Sequence, residues 1–230
     1  MRPALLLCAI LLACPPHDVA AQEFVDRGVL VIERGNAETG RVEFAIRRTA
    51  TRQGRGGFLL VSATRTPAHD VDVALEVSQD SVPVTFQQTE TVGGRVVRRV
   101  SATLNGRRFS ARASSSEAEV SRELPVEPPL LILGDEDFTS YAFLPAPDSG
   151  AARAVTVFRA RDLVSIGALV EGAGVDVVRA FGRDLACRRF TLRFADGEQR
   201  QYWVASGGSL VRVAIPAAGL LATRTEPAGR

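Results

Sequence analysis

Residues 70–114 read DVDVALEVSQDSVPVTFQQTETVGGRVVRRVSATLNGRRFSARAS, and their alternation decides the fold class. Val71, Val73, Leu75 and Val77 interleave with Asp72, Ala74, Glu76 and Ser78. Successive side chains of a strand point to opposite faces, whereas a helix would place its apolar residues three and four apart. The pattern therefore describes a strand with one buried face and one wet face. Farther along, Asn105-Gly106 stands where a two-residue hairpin needs residues that tolerate positive φ. With these two at the centre of the turn, Thr103 pairs with Arg108, Ser101 with Ser110 and Arg99 with Arg112 on the wet face. Ala102 with Phe109 and Val100 with Ala111 make the buried one.

The same alternation extends in both directions: Val42, Phe44 and Ile46 interleave with Glu43 and Arg47. Strands are predicted near 28–34, 40–49, 57–65, 70–78, 82–91, 95–104, 107–114, 117–124, 153–160, 165–171, 174–181, 186–195, 198–205, 209–215 and 219–224. The fold class is all-β, mainly antiparallel: a long meander forming a curved open sheet or half-barrel. A second turn signal, Asp196-Gly197, pairs Phe190 with Trp203 and Leu192 with Gln201, which sets the only tryptophan beside a phenylalanine.

The meander breaks at residues 125–150, PVEPPLLILGDEDFTSYAFLPAPDSG, a proline-rich stretch with an apolar run from Leu130 to Leu133. Asp135-Glu136-Asp137 suits the positive end of a helix, so a short helix is expected near 135–143. The segment reads as a crossover packed over the sheet, or as a plug or lid. Leu131, Leu133, Phe138, Tyr141 and Phe143 supply its large apolar area and, with Trp203, form the candidate site for a hydrophobic ligand.

The chain begins with an export signal. Arg2 precedes an apolar run from Ala4 to Cys14, then Pro15 and Pro16 and the small residues Val19-Ala20-Ala21. The run is short of the ~20 residues that span a bilayer, and no later segment reaches that length. Three parts follow: a signal peptide at 1–21, a single antiparallel β domain at 22–226, and a disordered tail at 227–230. Cleavage before Gln22 gives a periplasmic or secreted product. The alternative is cleavage before Cys14, where Leu11-Leu12-Ala13-Cys14 resembles a lipobox and the product is a lipid-anchored protein.

Composition narrows the chemistry. The net charge is +2 before and after removal of residues 1–21, which take one charge of each sign (Arg2 and Asp18), so no nucleic-acid partner is expected. All 28 basic residues are arginine, in keeping with a GC-rich coding bias. Arg95, Arg99, Arg108 and Arg112 share one wet face in the expected register. They form the candidate anion site, unless Glu90, Glu117 or Glu119 balances them. Cys187 reads as a buried small hydrophobe.

Outside the export segment His69 is the lone histidine, at a Pro67-Ala68-His69-Asp70 turn, and it reads as a solvated turn residue. No Gly-x-Ser-x-Gly elbow accompanies it. Neither a metal site nor a cofactor is expected. Asp135-Glu136-Asp137 fits a calcium loop poorly, with Ser140 where glycine is required and Ala146 in place of the bidentate glutamate.

Three pieces of the chain resemble secreted Gram-negative proteins of unknown function whose open half-barrel is similar to that of outer-membrane lipoprotein carriers. They are Gly28-Val29-Leu30-Val31-Ile32-Glu33-Arg34-Gly35 with its return Gly40-Arg41-Val42-Glu43-Phe44; Val82-Pro83-Val84; and the ending from Tyr202-Trp203 to Arg212-Val213. In the last, Ala205 stands where an acidic residue is usual. The resemblance implies the half-barrel and a non-enzymatic exported envelope protein that binds a lipid or another hydrophobic ligand. An envelope assembly or interaction module without a small ligand is the alternative, and a hydrolase using surface carboxylates ranks behind both.

Overall fold

The computed structural model describes residues 24–50, 56–126, 129–134, 136–147 and 151–225; the expected signal peptide at 1–21 and the expected tail at 227–230 lie outside them. Fifteen strands form: β1 (Phe24–Arg34), β2 (Ala37–Ala50), β3 (Gly56–Arg65), β4 (Asp70–Ser78), β5 (Pro83–Val92), β6 (Arg95–Asn105), β7 (Arg108–Ser115), β8 (Glu119–Pro125), β9 (Leu130–Leu133), β10 (Ala152–Arg159), β11 (Val164–Ala180), β12 (Arg183–Phe194), β13 (Gln199–Ala205), β14 (Leu210–Ile215) and β15 (Leu220–Arg224). All belong to one open sheet, in the order β8-β7-β6-β5-β4-β3-β2-β1-β15-β14-β13-β12-β11-β10-β9. The first strand pairs with the last, and every neighbouring pair except β9–β10 is antiparallel.

Chain connectivity forces this sheet to roll. Laid flat, fifteen strands would span roughly 65 Å at about 4.8 Å per neighbour. Yet β8 and β9 occupy opposite edges and are joined by the short link from Pro125 to Leu130, whose reach is about 17 Å. Across the resulting seam the Phe109 and Phe158 rings lie 4.5 Å apart between centroids. Arg98 Nη2 donates to the Ala160 carbonyl over the same gap, at 2.8 Å. The rolled face buries the main core, with Leu30, Leu60, Phe86, Phe109, Val157 and Tyr202 among its sealed members.

The expected strands are found, with two differences. Leu130–Leu133 is itself a strand, pairing in parallel with β10 and buried at all four residues. The stretches 165–171 and 174–181 are one long strand, β11, interrupted by a bulge between Gly172 and Val175. A parallel pair cannot be joined by a tight hairpin, and residues 134–151 supply the crossover it needs.

The segment is the crossover expected there, and the short helix expected within it is reduced to a single turn. Among the described residues of the crossover only Ser140–Phe143 make a 3-10 turn, and Asp135 lies outside the described residues. Asp137 opens the turn with capping-type bonds, and Pro145 stops it, since Leu144 just before the proline is extended (φ −66°, ψ 138°). Oδ1 accepts from the Thr139 amide (2.8 Å), the Thr139 hydroxyl (2.9 Å) and the Ser140 amide (3.1 Å), and Oδ2 accepts from the Ser140 hydroxyl. The buried carboxyl group is accommodated because four donors satisfy it.

Both hairpin registers differ from expectation, with opposite consequences. In β6–β7 the loop residues are Gly106 and Arg107, Gly106 having φ +62° at the first central position. The pairs become Thr103 with Ser110, Ala102 with Ala111, and Val100 with Ala113. Arg99 therefore faces Ser114, and Arg112 faces Ser101. The like-charge pair is absent, but each residue keeps its expected face. In β12–β13 the Phe194 amide donates to the Glu198 carbonyl (2.9 Å) across a three-residue loop, with Gly197 at φ +91°. This one-residue change turns Trp203 to the other face of the sheet, opposite Arg189, while Tyr202 takes its place beside Phe190 at 5.0 Å.

Trp203 thus joins a second, smaller apolar cluster with Val178, Ala180, Cys187 and Val211. Its indole Nε1 donates to Asp176 (2.9 Å), which also meets Arg189 at 3.2 Å. Cys187 is a buried free thiol, as read from the sequence, and burial pushes its pKa up. Where the terminal strands meet, fully buried Arg224 donates to both oxygens of Asp26 (2.5 and 2.9 Å) and to the Leu210 carbonyl (3.2 Å). A Cβ on Gly28 would come within 2.8 Å of the Arg224 Nε, so that position admits only glycine unless the guanidinium moves.

Candidate functional site

The turns at one end of the rolled sheet surround a cavity of about 1130 Å³. Leu133, Ile215 and Leu220 supply apolar surface, and ionisable side chains from widely separated strands supply the rest. Arg34 ends β1, Glu90 and Arg98 come from β5 and β6, Arg159 and Arg161 from the end of β10, and Glu198 and Arg200 from the start of β13. Rolling brings together what the sheet order separates.

The crossover enters the rolled interior beside this cavity. His69 Nε2 lies 3.2 Å from Glu136 Oε2, and the Thr64 hydroxyl donates to the Glu136 carbonyl (3.4 Å). The turn carrying His69 is fixed by Thr66, whose hydroxyl donates to the His69 carbonyl and accepts from its amide. His69 is therefore partly buried against the crossover rather than a solvated turn residue. Deeper, Arg200 Nη1 donates to the Tyr141 hydroxyl (3.1 Å), and the Tyr202 hydroxyl donates to the Pro145 carbonyl (3.3 Å). Arg188 donates to the Pro147 carbonyl at 2.7 Å.

Burial sets the protonation of the tyrosines here. Tyr141 is pushed up to about 12 by desolvation, with Arg200 opposing, and desolvation also raises Tyr202. Arg200 meets a desolvation penalty as well, but Tyr141 and Glu198 outweigh it and its proton is held more firmly. Its Nε donates to Glu198 (2.6 Å) while the guanidinium lies over the Phe194 ring at 5.2 Å. Arg159 spans Asp196 (2.9 Å) and Glu198 (3.5 Å). The Glu198 amide, and then Arg159, lower the Asp196 pKa.

The sequence-predicted site residues do not line one cavity. Leu133 borders the charged cavity. Leu131, Phe138 and Tyr141 are sealed in the core, and Phe143 packs on Phe58 with centroids 6.4 Å apart. Trp203 belongs to the separate cluster. Arg95, Arg99, Arg108 and Arg112 are exposed on β6 and β7; Arg112 borders a groove of about 390 Å³ and pairs with Glu119.

The arginines that do converge, Arg34, Arg98, Arg159, Arg161 and Arg200, were not singled out by sequence. Most sit at strand ends or turns, where alternation carries no information about which side chains meet. No serine, threonine or cysteine among the described residues lines the cavity. Among the described residues, no group of three His, Cys, Asp or Glu side chains is placed to hold a metal ion, and no helix is long and apolar enough to cross a membrane. Compared with protein-family models, curated proteins and solved structures, the chain matches none of them.

Proposed function

We propose that this is a non-enzymatic, exported envelope protein, periplasmic or secreted, that binds a lipid or other hydrophobic ligand in its rolled sheet. The observation that carries this reading is the cavity of about 1130 Å³, which joins apolar surface at Leu133, Ile215 and Leu220 to a polar rim beside the crossover. A cavity of that size suits a small amphiphile, and its lining, charged for the most part, suits the polar head of such a molecule with its apolar part on those three side chains. Catalysis is a poorer fit to the side chains present. Glu136 is engaged with His69, Glu198 with Arg200 and Arg159, and the described residues of the lining offer no serine, threonine or cysteine nucleophile.

One observation favours the alternative, an envelope interaction module without a small ligand. Phe138 and Tyr141 already fill the interior that a long acyl chain would enter. The two readings separate on intact-mass analysis of gently extracted native protein, together with titration of the purified protein by a fluorescent fatty acid. A co-purifying lipid and saturable binding are expected. A ligand-free mass with no saturable binding leaves the interaction module in its place.

A further inference from the structure

The charged lining of this cavity is largely self-neutralised, and what is left over points to the ligand. Arg159 is engaged by Asp196 and Glu198, and Arg200 by Glu198 and the Tyr141 hydroxyl. Arg98 donates to the carbonyls of Ala160 (2.8 Å) and Arg161 (2.5 Å) and stands opposite Glu90 in the β5–β6 register. Glu136 meets His69, and Asp162 lies 3.9 Å from Arg159. The guanidinium groups of Arg34 and Arg161 make no hydrogen bond or ion pair among the described residues.

The backbone under Arg161 is fixed in place. The Ala160 amide donates to the Leu133 carbonyl (2.9 Å), Arg98 clamps the next two carbonyls, and Leu163 closes the turn, buried, at φ +52°. Arg34 precedes the tight Gly35-Asn36 turn, where both φ angles are positive. Two guanidiniums on fixed turns at one cavity are therefore available to a ligand. A guanidinium matches carboxylate and phosphate oxygens with parallel donors, and with the backbone fixed the ordering cost of binding is confined to the two side chains.

We propose that Arg34 and Arg161 form an anion-binding subsite of this cavity, taking the carboxylate or phosphate end of an amphiphile whose apolar part rests on Leu133, Ile215 and Leu220. The proposal rests on the hydrophobic-ligand reading above and names the class of ligand: an acidic one.

The test compares cis-parinaric acid, its methyl ester and a monoacylglycerol phosphate, titrated into the full mature protein and into Arg34→Gln, Arg161→Gln and the double variant. Arg99→Gln, on the exposed face of β6, is the control. Both arginines are exposed, so thermal unfolding of the variants should match that of the unmodified protein.

The unmodified protein is expected to bind the acids about tenfold or more tightly than the ester, a preference that falls as salt is raised. The double variant should lose that preference while ester binding stays unchanged, and Arg34→Lys with Arg161→Lys should restore part of it. A carboxylate ligand favours the fatty acid, and a phosphate ligand the monoacyl phosphate. Equal binding of acid and ester, or a preference that survives in the double variant, overturns the anion subsite and leaves the hydrophobic-ligand reading standing. Failure of all three probes to bind the unmodified protein overturns both.

Discussion

The two halves of the sheet bury their residues by different rules. Along β4 the side chains pointing one way, Val71, Val73, Leu75 and Val77, are sealed, and the intervening Asp72, Ala74 and Ser78 are exposed or half-buried, Glu76 being the exception. At the outer edge of this half, β8 is exposed through most of its length. In the second half β9 is buried at every residue, β11 changes which face is covered at its bulge, and a second cluster forms around Trp203. The first half is a sheet with one inside. The second is folded around its own crossover, so burial there depends on distant contacts and not on the period of the strand.

Substitutions in the interior of the second half should have the largest effects. Phe138 is fully buried, and Phe138→Ala should cost about 3–5 kcal/mol in chemical denaturation, whereas Val120→Ala on exposed β8 should stay within about 0.5 kcal/mol. Similar losses for the two would erase the distinction. Arg224 joins the halves where β1 meets β15, and Arg224→Leu should cost about 3 kcal/mol or more, because it leaves the Asp26 carboxylate buried without its partner.

Smaller effects sharpen the picture. Trp203→Phe removes the donor to Asp176 from a cluster apart from the main core, and should cost about 1–2 kcal/mol with ligand binding unchanged. Tyr141 gives a pH dependence of definite sign. Its folded-state pKa of about 12 lies above the ordinary value of 10, so its contribution is complete below pH 10 and is lost as pH rises through 12. Unfolding at pH 9 and pH 11 should show a loss on the order of 1 kcal/mol for this group, and Tyr141→Phe should reduce the loss. Least of all, a double-mutant cycle on the exposed pair Arg112–Glu119 should give a coupling below about 1 kcal/mol.

This contrast also accounts for what was legible in the sequence. Alternation located the strands of the first half and their buried faces, because each strand there has one covered side. The apolar run Leu130–Leu133 gave no period to read, since it is covered on both sides, and its parallel pairing depends on distant β10, with Leu130 opposite Thr156. The two Xaa-Gly turns show how small the margin is. Asn105-Gly106 and Asp196-Gly197 are equivalent as signals, yet the first closes a two-residue loop and the second a three-residue loop. The difference moved Trp203 to the opposite face. The charged cavity was illegible for a similar reason: Arg34, Arg98 and Arg161 line one cavity only once the sheet has rolled.

The central claim is that the crossover fills the inside of the rolled sheet, with the cavity left at its end. Native-state hydrogen exchange resolved to single amides tests it most directly. If the crossover is interior, the amides of Leu131–Leu133, Thr139 and Ser140 should exchange as slowly as those in the middle of β4 and β12, because opening them requires unfolding the core. Exchange of Thr139 and Ser140 at the rate of an exposed loop, while β4 stays protected, would contradict the account.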